Sequence, residues 1–304
     1  MISIVIPAYN EAGNVSVLVH KLKEQFQEKD NCEIIFVDDG SMDSTLEEIK
    51  KVADGEKTVK FISFSRNFGH QKALKAGLDH AQGDCVISMD ADMQHPPEML
   101  CKLLEKWREG YDVVYTIRKD SEDTGFMKKV TSAFFYRLMN KISDVNIPLG
   151  AADFRLLDKK VVSELRKFNE NWLFIRGAVS WLGFKQIGIE YIVQKRHAGK
   201  SKYSIARMIA FAVQGITSFS ILPLRISMVI GFFFSCFSFL YAIHALYEKM
   251  FLHAAILGWT SILMSILFLG GVQLFFLGVI GEYLGKMFIE TKKRPPYVIK
   301  EKRL

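Results

Sequence analysis

The stretch VISMDADMQHPPE, residues 86–98, opens as a buried strand and then sets two carboxylates, Asp90 and Asp92, one residue apart. Like charges a few ångströms apart resist joint ionisation, so a pair of acids facing a dry crevice needs a counter-charge. A divalent cation is the natural partner. Mg²⁺ or Mn²⁺ takes hard oxygen ligands and keeps positions open for phosphate oxygens. An Asp-x-Asp triplet alone is common in solvated loops. Here it ends an apolar run and is followed by Gln94, His95 and the rigid Pro96-Pro97. Because these ions favour oxygen, His95 is read as shaping the loop.

Upstream of this strand, apolar runs alternate with amphipathic stretches, the pattern of βα units around a mainly parallel sheet. The spacing predicts strands at Ile2–Ile6, Glu33–Val37, Val59–Phe64, Cys85–Met89 and Val113–Thr116. It predicts helices at Asn14–Gln27, Ser44–Ala53, Gln71–Ala81 and Pro97–Arg108, with Asp43 or Ser44 capping the second. No GxGxxG follows the first strand. Polar residues instead gather where strands end: Tyr9, Asn10 and Glu11; Asp38 and Asp39; Arg66 and Asn67; Asp90 and Asp92; and Arg118. In an open α/β sheet that edge holds ligands. Tyr9, Glu11 and Asp39 form a candidate nucleoside seat, since base and ribose offer donors that a carboxylate accepts. Asp-Gly is also ordinary turn chemistry, and an acid opening a helix is favoured by the helix dipole.

The 304 residues exceed one such domain. Residues 226–247 hold no Asp, Glu, Lys or Arg, and a longer apolar run covers 251–281. Each exceeds the roughly 20 residues a helix needs to cross a bilayer. Lys195, Arg196, Lys200, Lys202, Arg207 and Arg225 precede the pair, and Lys286, Lys292, Lys293 and Arg294 follow it. By the positive-inside rule both termini face the cytoplasm. No basic n-region precedes ISIVIPAY, so a signal peptide is not expected. The net charge of +7 fits contact with anionic headgroups, and no nucleic-acid-binding signature is found. The resulting division is a domain at 1–200, an amphipathic juxtamembrane helix at 201–224, two spans within 225–281 (about 226–247 and 252–280), and a basic tail at 282–304 that comes back toward the domain. Cys32, Cys85, Cys101 and Cys236 show no CxxC spacing and are read as reduced.

The segments IVIPAYNE, EIIFVDDGSMDST, SRNFGHQKAL, MDADMQHPPE, YDVVYTIR, ADFRLLD, KRHAGKSKYS and GEYLGKMFIETKKRPPY follow one another in order along nearly the whole chain. Together they resemble glycosyltransferase family 2, and within it the membrane-anchored polyprenyl-phosphate glycosyltransferases. The resemblance implies a GT-A fold, a Rossmann-like and mostly parallel α/β sheet. It implies that Pro7, Tyr9, Glu11 and Asp39 hold the nucleoside of a UDP-sugar, supported by Asp38, with Asn67, Lys72, Asp90 and Ala91 also on the donor side. Asp90, Asp92 and Gln94 would bind the metal, with Asp92 central to catalysis. Arg118, Lys128, Ser132, Arg176 and Arg196 would meet the acceptor phosphate. Asp153 is the family's candidate base, with positioning of Arg155 or of the acceptor as the alternative role.

The reaction implied is inverting transfer of glucose or N-acetylglucosamine to undecaprenyl phosphate at the inner membrane, for cell-envelope glycosylation. Alternatives are dolichyl-phosphate-mannose-type or aminoarabinose-type transfer, or a non-catalytic membrane scaffold that kept a transferase-like domain. A processive synthase is disfavoured because no QxxRW occurs. Packing of the two spans between subunits allows a homo-oligomer, a tetramer included. Downstream partners would be a flippase and a membrane glycosyltransferase. Met93 and His95 are variants within the family's acidic motif.

Overall fold

The computed structural model describes residues 1–26, 31–119, 150–171, 173–192, 220–251 and 258–304. It divides into two units, Met1–Ser218 with Pro295–Leu304, and Phe219–Arg294.

The first unit is built on an eight-stranded sheet in the order β7-β5-β6-β4-β1-β2-β3-β8. Its strands are β1 (Ile2–Ala8), β2 (Cys32–Asp38), β3 (Val59–Phe64), β4 (Cys85–Ser88), β5 (Val113–Lys119), β6 (Ala151–Asp158), β7 (Gln186–Ile192) and β8 (Ile299–Arg303). β1 pairs in parallel with both β2 and β4, β2 with β3, and β5 with β7. β6 enters antiparallel between β4 and β5, and β8 closes the other edge antiparallel to β3. All five predicted strands are present, each within a few residues of its expected ends.

Successive strand residues point to opposite faces, so a strand covered on both sides is apolar throughout. Ile4, Ile6, Ile34 and Phe36 pack on one face against α1 (Ala12–Gln25), α2 (Thr45–Gly55) and α4 (Met99–Arg108). Val5, Ile35, Val37 and Ile62 pack on the other against α3 (His70–His80), α5 (Lys159–Arg166) and α6 (Ile175–Trp181). Helix α3 lies close to the sheet, where a Cβ on Gly77 would strike the side chain of Val5. The α2 cap is shared: Ser44 holds the cap position without a side-chain bond, while Asp43 Oδ1 accepts from the backbone N–H of Thr45 at 3.0 Å.

The second unit contains α7 (Leu222–Phe251) and α8 (Trp259–Thr291). Pro223 sits in the first turn of α7, where its missing N–H costs nothing. The stretches Leu222–Tyr241 and Met264–Thr291 are long and apolar enough to cross a membrane, and none of their length is buried within the protein. Phe232, Phe233, Phe237, Leu274, Phe275 and Leu277 are all more than half exposed, a surface suited to lipid. Phe234 and Phe268 meet across the pair at 5.8 Å, and Tyr283 Oη donates to the Ser220 carbonyl at 2.7 Å. The sequence reading ends the second span near 280 and begins a polar tail at 282, whereas α8 runs on to Thr291. Glu282, Lys286 and Glu290 are good helix formers, so the change in polarity does not end the helix, which stops ahead of Pro295-Pro296. Of the interfacial helix expected at 201–224, residues 201–219 lie outside the described residues, and Leu222–Leu224 form the first turn of α7 instead.

Candidate active site

From β1 the sheet grows through β2 and β3 in one direction and through β4 in the other. The reversal opens a crevice at the carboxyl ends of β1 and β4, the place where doubly wound sheets take ligands. Residues after β1, β2, β3 and β4, and the start of antiparallel β6, meet along this edge.

On the β1–β2 side the contacts form a tight framework. Pro7 is buried near the end of β1 and Tyr9 is half-buried just beyond it. Asn10 adopts φ 54° and receives the Met42 N–H at 2.9 Å, while its own N–H reaches Ser41 Oγ at 3.0 Å. Glu11 accepts from Asn14 Nδ2 at 2.6 Å, and its N–H donates to Thr45 Oγ1 at 2.8 Å. Asp38 is buried and fully occupied with structure, taking Ser41 N–H at 3.0 Å and Ser63 O–H at 2.8 Å. The next residue, Asp39, receives the N–H groups of Phe68 at 2.7 Å and Gly69 at 2.9 Å. Burial pushes the Asp39 carboxyl above its usual pKa, against the pull of those two amides. Gly40 must be glycine: φ is +66°, and a Cβ would stand 2.7 Å from the Asn67 nitrogen. The Asp38-Asp39-Gly40 turn is thereby pressed onto the loop of residues 65–69, where Asn67 is exposed. Lys72 lies in the first turn of α3, half-buried.

On the β4–β6 side, Asp90 faces His70, with Nε2 to Oδ1 at 2.8 Å. Crowding disfavours the His70 cation, but the adjacent Asp90 carboxylate outweighs it and raises the imidazole pKa. Ala91 and Asp92 are buried, and Asp92 Oδ1 accepts the Gln94 N–H at 3.0 Å across Met93, which takes φ 63°. His95 is buried, stacks on Phe154 with centroids 4.7 Å apart, and receives the Asp90 N–H at Nδ1 (3.0 Å). Its role in shaping the loop is thus visible in its contacts. Among the described residues no group of three or more His, Cys, Asp or Glu could hold a metal ion. Asp90 and Asp92, with Gln94 two residues on, are oxygen-bearing residues of the kind a hard cation takes.

Asp153 opens β6 beside the β4 end and is buried. Arg176, from the first turn of α6, binds it at both oxygens, and Gln71 Nε2 donates to Oδ2 at 3.2 Å. The Gln71 carbonyl oxygen in turn accepts the Ile175 N–H at 3.2 Å. Sequence reasoning missed His70 and Gln71 as members of the site. Their signal was the SRNFGHQKAL segment itself, which opens α3 two residues before Lys72. Arg118 lies at the carboxyl end of β5. Lys128, Ser132 and Arg196 fall outside the described residues.

Residues 3–166 match the model of glycosyl transferase family 2, and residues 222–287 match that of the GtrB C-terminal hairpin. The chain is 44% identical over 300 residues to an uncharacterized glycosyltransferase of Bacillus subtilis, covering 98% of this chain and 93% of the relative. It is 42% identical over 304 residues to the bactoprenol glucosyl transferase of Shigella phage SfV, covering 99% of each. Among solved structures, glucosyl-3-phosphoglycerate synthase from Mycobacterium tuberculosis, in complex with Mn²⁺, UDP-glucose and phosphoglyceric acid, superposes with a TM-score of 0.50. That match is 17% identical and covers 71% of this chain and 77% of the other, a likeness of GT-A fold.

Proposed function

This chain belongs to glycosyl transferase family 2, and from that premise we propose that it transfers a sugar from a UDP-sugar to undecaprenyl phosphate at the cytoplasmic face of the membrane. The observation that carries the reading is the convergence of Asp39, Asp90, Asp92 and Asp153 on one switch-point crevice, in a chain that also holds two candidate membrane spans. Glucose is the first donor to test, because relatives of full length carry the name bactoprenol glucosyl transferase. N-acetylglucosamine is the second.

In this reading Pro7, Tyr9, Glu11 and Asp39 seat the nucleoside, and Asp38 fixes the turn that carries Asp39. Asp90, Asp92 and Gln94 would hold Mg²⁺ or Mn²⁺, which supplies charge neutralisation for the departing diphosphate. Asn67 and Lys72 face the donor, and Arg118, Lys128, Ser132 and Arg196 the acceptor phosphate. Arg176, held by Asp153 at both oxygens, would meet the acceptor phosphate from a fixed position.

The acceptor monoester has a second pKa of about 6 and is mostly dianionic at neutral pH. Its oxygen forms the new bond to the anomeric carbon while the bond to the UDP oxygen breaks and its electron pair leaves with UDP. No proton need be removed from the nucleophile, so no general base is required. Attack opposite the leaving group inverts the anomeric centre. Placing the catalytic unit on a membrane anchor brings it to a phosphate that is itself held at headgroup depth.

The test is transfer of radiolabel from UDP-glucose, or from UDP-N-acetylglucosamine in a parallel assay, to undecaprenyl phosphate, with and without EDTA. Lipid-linked label that disappears on chelation is expected. A folded, membrane-inserted protein that labels no lipid under any metal condition is a scaffold and not this enzyme.

A further inference from the structure

Residues 295–304 follow α8 in the chain, yet their contacts lie on β3, α2, α3 and the loop of residues 65–69. We infer that this C-terminal segment is a working part of the donor side of the site, with Tyr297 a positioning residue for the loop whose amides hold Asp39. The inference rests on the donor-site reading of Asp39.

Three contacts converge on the loop. Strand β8 pairs with β3 from Phe61↔Arg303 to Phe64↔Ile299, and beyond the strand the Ser65 N–H donates to the Val298 carbonyl at 3.0 Å. The tail therefore bonds the first residue of the loop directly. The Tyr297 ring stacks on Phe64, with centroids 5.0 Å apart and planes at 14°. Phe64 in turn meets Phe68 edge-on at 5.6 Å and 87°. The N–H of that same Phe68, and that of Gly69, are the donors to Asp39.

Tyr297 also reaches past the loop to the helix that follows it. Its hydroxyl donates to Asp79 Oδ2 at 3.0 Å, and Asp79 Oδ1 accepts from the buried Lys75 at 2.5 Å. Both residues lie on α3, whose first residue, His70, comes straight after Gly69. One side chain thus touches Phe64 at the end of β3 and Asp79 on α3, and the loop of residues 65–69 joins these two elements.

The other side-chain ties of the tail, the part-buried Lys50–Glu301 and the exposed Arg303–Asp54, are solvent-accessible ion pairs on the α2 side. Such pairs contribute little. Holding the loop therefore falls to the ring stack and the Ser65 bond. Loss of the ring frees Phe64 and Phe68 to repack, and the two amides lose their alignment on Asp39.

The test uses the full-length protein in nanodiscs, comparing wild type with Tyr297→Leu and Tyr297→Phe. Hydrogen exchange of peptides covering residues 65–69, without nucleotide, reads the brace itself. Titration with UDP in the presence of Mn²⁺, and steady-state kinetics with donor and acceptor varied separately, read its consequence. Tyr297→Leu is expected to exchange about tenfold faster in the loop and to bind UDP about fivefold more weakly, with the acceptor KM changed less than about twofold. Tyr297→Phe keeps the ring and is expected to recover most of the loss. Tyr297→Met carries the same expectation as the leucine variant if that one does not fold. Loop exchange equal to wild type, or faster exchange with unchanged UDP affinity, overturns the inference. A wild-type protein that binds no UDP removes the donor reading of Asp39, a failure distinct from that of a variant that binds as wild type does.

Discussion

Arg176 holds Asp153 through both carboxylate oxygens, Nε to Oδ1 and Nη2 to Oδ2, each at 2.7 Å. Burial alone would raise the Asp153 pKa, but the Arg176 charge and its two hydrogen bonds, with Arg155 and His70 nearby, take it well below the ordinary carboxylate range. A group so placed has little affinity for a proton at neutral pH. The geometry therefore favours positioning of the arginine over general-base action, and the dianionic acceptor of the proposed reaction would not need a base.

Removing the Arg176 charge leaves Asp153 buried and without it, and removing the Asp153 charge leaves a half-buried arginine. Asp153→Asn and Arg176→Gln are each expected to cut turnover by about a hundredfold, since breaking a buried pair costs about 3–5 kcal/mol and only part of that reaches the transition state. The double variant should lose much less than the product of the two. Kinetics of the four proteins check this; fully multiplicative losses mean the pair does not act as one unit. A pH–rate profile of Asp153→Asn that keeps the wild-type shape is the further expectation, because a missing base would remove a limb.

Asp92 presents the sharpest test of the proposed cation site. Its Oδ1 bonds the Gln94 N–H across a residue with positive φ, so the turn would survive a change that kept an oxygen there. Asp92→Asn is expected to fold and insert normally but to lose at least about a hundredfold in turnover, because an amide neutralises one ligand charge. Asp92→Ala should abolish turnover. Mn²⁺ binding followed by electron paramagnetic resonance in the presence of UDP gives a readout apart from activity, and wild-type affinity in the alanine variant removes this site.

Both Asp39 oxygens accept loop amides, Oδ1 from Phe68 and Oδ2 from Gly69, and in the proposed function the same carboxylate also meets the nucleoside. Asp39→Asn keeps an acceptor for those amides and loses the charge, so UDP affinity is expected to fall by about tenfold, near the value of one charge-assisted hydrogen bond. Asp38→Asn should act differently: both of its oxygens serve Ser41 and Ser63, so thermal stability falls along with affinity. Calorimetric titration set beside thermal unfolding separates the two cases.

Much of this architecture is legible in the sequence because β1 to β5 are apolar runs set between amphipathic helices, a local signal. Strand β6 is not: AADFRLLD pairs with residues far away in the chain, Ser88↔Arg155 among them, and only that pairing places Asp153 beside Asp90. Strand β8 is hidden for the opposite reason. IKEKR carries four charges in five residues and looks like solvent-exposed tail, yet charged side chains suit an edge strand that must not recruit another chain. Asp38, Asp39, Asp90 and Asp92 could be picked out because they follow the apolar runs of β2 and β4. His70 and Gln71 lie in the SRNFGHQKAL segment, but the fold of the loop before α3, and not their own chemistry, brings them to Asp90 and Asp153.

At the opposite end of β2 from Asp38, roughly 17 Å away along the strand, Glu33 lies buried with three partners. Ser3 O–H donates to it at 2.5 Å, the Gln82 N–H at 2.7 Å and Lys60 Nζ at 2.7 Å. Burial raises the Glu33 pKa, but Lys60, Ser3 and Gln82 together favour the anion more strongly and the net shift is downward. A carboxyl that titrates lower in the folded state than in the unfolded one stabilises fully above the unfolded value, about 4.3, and loses that contribution as pH falls through the folded value. Glu33→Gln should therefore unfold at lower temperature at pH 7, by an amount corresponding to about 1–3 kcal/mol. The difference from wild type should shrink steadily below about pH 4. Donor affinity measured well below the unfolding temperature should stay at the wild-type value, since none of these contacts reaches the crevice. A stability gap that persists undiminished at pH 3 means that the charge on Glu33 is not what braces this end of the sheet.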